Sequence, residues 1–191
     1  GIRNLVNLEY TSRKANIGSF LLRGQIVEST EEMLIPQIQY FTNDSWEIVS
    51  GMDDELGWPF LHQAKIANAT LYLLVIPENF TDLYKLPVEV LNSIREIACK
   101  THNVSIEGTS KVSLFMYDNN TFVLHNFNDE PISINVLLKE KAEHLSDLIT
   151  QEKTKLEHRE AVTFWRRIYA PEKFTISVEL PAHSFKAYKI E

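Results

Sequence analysis

The residues best equipped for chemistry are carboxylates. Asp53, Asp54 and Glu55 stand together in one short stretch, and Glu47, Glu78, Asp82 and Asp118 are further acids that the fold could bring to them. Hydrolysis of a glycosidic bond needs two carboxyl groups facing each other across that bond. Three adjacent acids repel one another and seek water instead, and no spacing in the chain is specific to that chemistry. The histidines, His62, His102, His125, His144, His158 and His183, show no close metal-ligand spacing. His183 directly before Ser184 has the composition of a dyad. The aromatic residues offer a different chemistry. Trp46 follows Asn43 and Asp44, and Trp58 follows the acidic stretch. With Tyr84, Tyr117 and Trp165, these rings could lie against a sugar face while nearby carboxylates and amides take its hydroxyls. The candidate carbohydrate-contacting set is Trp46, Asp53, Asp54, Trp58 and Tyr84. The competing role of both tryptophans is burial in a core or at a domain seam, because they cover large surfaces. No catalytic residue, metal ligand or cofactor is assigned.

Bulk composition narrows the partners. The chain has 191 residues and a formal net charge of -7. That balance disfavours a nucleic-acid surface, which needs a concentrated basic patch. The densest basic spot, Arg166-Arg167 after Trp165, reads as an ordinary surface with snorkelling stems. The longest apolar run, residues 71–76, has strand length and falls far short of the roughly 20 residues of a membrane helix. Cys99 is the sole cysteine, so neither an intrachain disulfide nor a cysteine metal site is available. Asn-x-Ser/Thr triplets occur at Asn43, Asn68, Asn79, Asn103 and Asn119. Without a secretory feature they read as a product of composition. A cytoplasmic location is expected, with secretion as the alternative.

The elements that must position these residues are unevenly legible. Residues 17–26 offer a strand with Gly18 and Gly24 as bends, residues 35–40 alternate apolar and polar, and 45–49 offer another strand. Residues 51–57 read as an acidic loop and 58–61 as an apolar hinge. From Ala69 the chain is apolar on both strand faces up to Ile76, the pattern of a central strand, and Pro77 stops it. A helix is expected over residues 87–99: Pro87 suits its first turn, Glu89 its positive end, and Val90, Leu91, Ile94, Ile97 and Ala98 form its apolar stripe. Beyond it, 102–106 make a short strand and 108–110 a hinge. Residues 112–117 and 121–127 make a hairpin around the turn Asp118-Asn119-Asn120, and 132–138 make a third strand. Residues 139–173 are polar and read as a loop-rich excursion with a short strand near 161–165. Two closing strands are expected, one on the alternation Ile176, Val178, Leu180 and one over 184–190.

A family resemblance enters at this closing run. Residues 174–190, two strands around Leu180-Pro181-Ala182-His183-Ser184, resemble the final strands of C-terminal β-sandwich domains of glycoside hydrolases. The stretch from Leu145 to Lys153 resembles the turn that precedes them, with Gln151 where glycine is usual. Asn126-Phe127-Asn128 resembles the polar turn after the entry hairpin. In that resemblance His183 belongs to a structural turn whose hydrogen bonds fix the last strand. More diffusely, residues 51–80 and 82–87 are similar to the end of a glutamine-amidotransferase-like α/β domain. Such a domain lies between the catalytic barrel and the terminal β-domain in some bacterial β-galactosidase-like proteins. No Gly-x-Cys/Ser-x-Gly elbow is present, and Cys99 falls on the expected helix.

The expected class is α+β, mainly β: a partial, amidotransferase-like α/β layer over residues 1–108, then a small antiparallel β-sandwich over 109–191. The function the resemblance implies is a non-catalytic C-terminal structural or carbohydrate-binding region related to glycoside hydrolases. The alternatives are a small carbohydrate-active hydrolase using the acids at 53–55, and a protein-interaction module. The expected partners are a carbohydrate ligand, an upstream catalytic domain or a second copy of the chain, with neither nucleic acid nor membrane.

Overall fold

The computed structural model describes residues 8–40, 45–53, 56–164 and 167–191, and over 163–164 and 167–170 the backbone alone. The chain divides into two compact units, Gly1–Leu91 and Asn92–Glu191.

In the first unit five strands, β1 (Leu8–Leu22), β2 (Gln25–Tyr40), β3 (Ser45–Asp53), β4 (Leu56–Ile66) and β5 (Ala69–Leu74), form one antiparallel sheet in the order β2-β1-β3-β4-β5. The single strand expected over 17–26 is instead the junction of two long ones. Arg23 and Gly24 both have positive φ, 52° and 81°, the conformation a two-residue hairpin turn requires, and Leu22 pairs with Gln25 across it. The stretch expected to be an acidic loop is the end of a hairpin, with Asp53 opposite Leu56. The apolar hinge at 58–61 lies inside β4, where Pro59 sits opposite Ser50 at a register shift, a place where a missing N–H is tolerated. β5 is antiparallel and last in the strand order rather than central. Its two apolar faces have another origin. Leu71 and Leu73 pack with Leu8, Ala64 and Ile38, and the chain after β5 turns back, so that the Glu78 N–H donates to the Leu34 carbonyl of β2 at 2.9 Å. The sheet is thus curled, and the Leu71–Leu73 face of β5 is covered although no second strand flanks it. Phe20 and Phe60 meet edge-on inside it, 5.0 Å between ring centres.

A 3₁₀ turn (Phe80–Lys85) follows, and after it the helix α1 (Val88–Ala98) that the sequence predicts. The helix ends under Lys139, whose Nζ donates to the carbonyls of Cys99 and Lys100, each at 2.7 Å, where a cation suits the negative end. Burial, foremost, pushes the Cys99 thiol up, against the lowering effect of the Lys139 and Arg95 charges.

The second unit is a two-sheet sandwich. Its strands are β6 (Val104–Glu107), β7 (Val112–Met116), β8 (Thr121–Asn126), β9 (Ile132–Leu138), β10 (His144–Asp147), β11 (Lys153–Lys155), β12 (Glu157–Arg159), β13 (Val162–Phe164), β14 (Arg167–Ala170), β15 (Lys173–Leu180) and β16 (Phe185–Ile190). One sheet has the order β11-β10-β16-β8-β7 and the other β12-β15-β9-β6, while β13 and β14 form a separate hairpin. The core is the alternation of both sheets: Phe122, Leu124, Leu145 and Tyr188 from the first meet Val104, Ile106, Ile134, Val136, Leu138, Val178 and Leu180 from the second. The mainly β, α+β class is therefore the observed one. The hairpin, the third strand and the closing pair lie where the alternation predicts. Within the polar excursion, β13 falls at its expected place, but β10 is a full sheet strand that the composition conceals. Leu145 is its one fully buried apolar anchor.

Gly108, in the stretch expected to be a hinge, is fixed rather than free. Its N–H donates to Asn92 Oδ1 at 3.0 Å, and Arg95 donates to the carbonyls of Gly108 and Thr109 at 2.6 and 2.7 Å. Its φ of +146° and the Ile134 side chain, 2.9 Å from where a Cβ would stand, both require glycine.

Candidate functional site

The predicted carbohydrate-contacting residues lie in the first unit, and the structure does not gather them. Trp46 is exposed near the start of β3, opposite Gln63, whereas Asp53 ends the same strand. Seven residues of extended chain put about 20 Å between them. Asp54 lies outside the described residues, as do Glu55, Asn43, Asp44 and Trp165. Trp58 is half-buried opposite Gly51, and its Nε1 is buried without a hydrogen-bond partner among the described residues. Asp53 and Tyr84 come closer to a common place. Asp53 lines an open groove of about 580 Å³ together with Asn16, Ser19, Glu28, Thr30 and Glu32. The 3₁₀ turn that carries the exposed Tyr84 is tied to the same stretch of β2: Ser29 Oγ donates to the Lys85 carbonyl at 2.9 Å, and Lys85 Nζ pairs with Glu31 at 2.6 Å.

The densest set of exposed rings is elsewhere, on the outer face of the sandwich. Register and alternation define it. Phe115 of β7, Val123 of β8 and Ala187 of β16 form one cross-strand row, and the Leu148 N–H continues it by donating to the Ala187 carbonyl at 2.8 Å. Ser113, His125 and Phe185 form the next row. The partners of these residues on the inner side, Leu114, Leu124 and Tyr188, belong to the core. Phe115 is 48% exposed, Phe185 57% and Tyr117, just past the end of β7, 58%. Phe127 packs its ring 3.9 Å from that of His125. The rings are spread along the hairpin: Tyr117 lies opposite Thr121 and Phe127 opposite Lys111, about 20 Å apart, with Phe115 and Phe185 between these ends.

Of these rings only Tyr117 stands out from the sequence as a candidate. Alternation within the 112–127 hairpin places Phe115, Val123 and His125 on one face, and that signal was available. Phe185 joins them only through the β8–β16 pairing, which local pattern does not specify.

The residues that carry the family resemblance are structural. Asn126 is fully buried; its Nδ2 donates to the carbonyls of Glu130, Leu180 and Pro181 at 3.0, 3.2 and 2.9 Å, and its Oδ1 accepts from the Asn128 N–H at 2.8 Å. One amide thereby ties the β8–β9 turn to the β15–β16 turn. His183 is no dyad partner of Ser184: its Nε2 lies 2.9 Å from Asp129 Oδ1, while Ser184 Oγ donates to the Pro181 carbonyl at 2.7 Å. Asp147 Oδ1 accepts from the Ile149 and Thr150 N–H groups at 2.8 and 3.1 Å, closing an Asx-type turn. Gln151 then takes φ +64°, the left-handed conformation that explains why glycine is usual there. Behind that turn, burial first, then the Asp147 and Glu152 carboxylates, push the Tyr188 phenol up to about 12. Two of the Asn-x-Ser/Thr asparagines also cap the backbone. Asn79 Oδ1 accepts from the Thr81 N–H, and Asn103 Oδ1 accepts from the Lys139 and Glu140 N–H groups.

Among the described residues no group of three or more His, Cys, Asp or Glu side chains could hold a metal ion. Residues 103–190 match the family described as "Probable glycosyl hydrolase, C-terminal domain". No curated protein and no solved structure matches the chain. The match spans the sandwich from the residue before β6 to the end of β16 and includes Asn126, the Asp147 turn and the 180–184 turn.

Proposed function

We propose that this chain is a non-catalytic accessory region of a glycoside hydrolase-related protein, and that its sandwich binds carbohydrate on the outer face of β7, β8 and β16. The observation that carries the reading is the exposed ring set Phe115, Tyr117, Phe127 and Phe185 on a strand-paired, rigid surface. Pyranose rings present apolar C–H faces that stack on aromatic side chains, and hydroxyls at their edges need polar partners. Ser113 and His125 lie in the same rows and supply such groups. The family match over 103–190 supports the glycoside hydrolase connection without naming a sugar. In this reading Asp53 and Tyr84 are a second, more polar contact on the first unit.

The test is retention of the full chain on a panel of immobilised plant, fungal and bacterial polysaccharides. Phe115→Ala with Phe185→Ala should abolish retention while the urea midpoint stays within error, and Tyr84→Ala should weaken it less. Failure of the unaltered chain to bind any glycan would overturn the reading. The other reading is a protein-docking face for an upstream catalytic domain. It is favoured by Leu148, Val123 and Ala187, which extend the apolar row without offering a hydrogen bond. Self-association of the full chain that Phe115→Asp reverses would support a docking role instead.

A further inference from the structure

A polar cluster in the first unit has no part in that reading. His62, on β4, is 1% exposed, and neither ring nitrogen has a hydrogen-bond partner among the described residues. Leaving a buried polar group unsatisfied costs about 1–3 kcal/mol, so such a group is retained only where something offsets the cost. Its neighbours show what that could be. The Tyr40 ring of β2 lies 4.1 Å from the imidazole, centre to centre. Glu47 of β3 is directly opposite in register, and Leu73 of β5 is opposite on the other side. Paired positions in a sheet hold their Cβ atoms about 5 Å apart, within reach of a shared contact.

The Glu47 carboxylate already accepts two side-chain hydrogen bonds. Tyr40 Oη donates to Oε1 at 3.3 Å, and Ser50 Oγ donates to Oε2. Burial, then the negative charge of Glu47, pushes the Tyr40 phenol up, so it remains a donor. Among the described residues Glu47 and Tyr40 are the titratable groups facing His62; β5 presents Leu73, and Ala64 two residues on is apolar.

We infer that the cluster is a proton-operated latch: when His62 takes up a proton, its N–H groups claim the Glu47 carboxylate, and the Tyr40 hydroxyl at the end of β2 is released. The step is a proton uptake from solvent and an exchange of hydrogen-bond donors; no covalent bond changes. It couples three strands, because Tyr40, Glu47 and His62 stand on β2, β3 and β4. Neutral His62 holds no partner, and charged His62 gains one, which gives the two states different contacts, as a switch requires. Burial lowers the pKa of His62 and Glu47 opposes that shift, so the change comes below the ordinary imidazole value of 6.5.

The experiment is NMR of the full chain with labelled histidine, tyrosine and glutamate side chains, titrated from neutral to mildly acidic pH. The His62 ring should titrate with a midpoint below the ordinary 6.5, and the Tyr40 and Glu47 side-chain signals should move with the same midpoint. In Glu47→Gln the His62 midpoint should fall further, because the opposing charge is gone. Tyr40 should then no longer follow. In His62→Gln the Tyr40 signal should be flat. Tyr40 signals that stay still while His62 titrates would overturn the inference. So would a His62 midpoint indifferent to Glu47→Gln, or unfolding of the chain before His62 titrates.

Discussion

Asn126 in the C-terminal unit and His62 in the N-terminal unit are both polar side chains sealed from solvent, yet they sit in opposite circumstances. Asn126 has donors and acceptors matched on every side, by three carbonyls and the Asn128 amide. His62 has a ring against it, a carboxylate opposite it and, among the described residues, no hydrogen bond. A matched polar group in a low-dielectric interior specifies one arrangement, because every alternative strands its partners. An unmatched one costs the fold free energy and leaves its contacts free to change with its charge. The C-terminal unit thus uses its buried amide to fix two turns, while the N-terminal unit holds a group poised to change.

The largest effect should come from breaking the matched case. Asn126→Ala leaves the buried Leu180 carbonyl, the Glu130 and Pro181 carbonyls and the Asn128 N–H without their partner, and should cost about 3 kcal/mol. The measurement is urea unfolding of the full chain. Asn126→Asp keeps the Oδ1 acceptor but turns a carboxylate toward three carbonyl oxygens, and should be worse than Asn126→Ala. A loss under about 1 kcal/mol for either would mean the turns are held by the strands alone.

The unmatched case should respond in the other direction. His62→Leu replaces two unsatisfied nitrogens with a side chain of similar bulk amid Leu73, Ala64 and Tyr40. The change should stabilise the chain by about 1 kcal/mol at neutral pH. The pH dependence sharpens the contrast. The folded pKa of His62 lies below its ordinary 6.5, so as acid is added the unfolded chain takes the proton first. The stability contribution of neutral His62 is intact above 6.5 and is lost as the pH falls from there toward the lower folded-state value. His62→Leu should therefore gain more over the unaltered chain at pH 5 than at pH 7. An equal gain at both would remove His62 from the acid response.

The same contrast explains what the sequence discloses. The C-terminal unit is built of short strands between turns with strong local chemistry: Asp118-Asn119-Asn120, Asn128-Asp129-Glu130-Pro131 and Pro181-Ala182-His183. Alternation and turn residues locate its hairpin, third strand and closing pair without any knowledge of pairing. β10 escapes notice because only Leu145 breaks its polar run, and its place is set by β16, some forty residues later. The N-terminal unit is legible only in part, since its strands are long and bulged. β1 shifts register between Tyr10 and Lys14 and again after Ile17, so period-two alternation fails along it. Trp58-Pro59-Phe60-Leu61 reads as a hinge because a proline inside a strand is rare, and only the bulge at Val49/Ser50 makes room for it. The candidate site follows the same division. Asp53 and Trp46 look like neighbours in the chain but lie along one extended strand, and the exposed ring set assembles from β7, β8 and β16 only once β16 is in place.

Smaller effects should come from two of the turn residues held at positive φ, Gln151 and His183. A left-handed conformation costs an ordinary residue about 1–2 kcal/mol, and glycine gives back about half of that through the greater freedom of its unfolded chain. Gln151→Gly, at φ +64°, should therefore stabilise the chain by about 0.5 kcal/mol, the exposed bond from Gln151 Nε2 to the Leu148 carbonyl being worth little.

His183→Gly should fall closest to zero, which makes it the most discriminating of the set. His183 is held at φ +50°, so glycine gains the same backbone relief. Against that stands the loss of the contact from its Nε2 to Asp129, a pair whose side chains are 63% and 90% exposed and therefore strongly screened. The turn itself survives the change, because the N–H of residue 183 still donates to the Asn128 carbonyl and the Ser184 hydroxyl to that of Pro181. The two terms should cancel to within about 0.5 kcal/mol in urea unfolding. A stabilisation matching that of Gln151→Gly would mean the imidazole does nothing in the turn. A loss above about 1 kcal/mol would mean that the exposed ring, and not only the buried amide of Asn126 behind it, anchors the last strand.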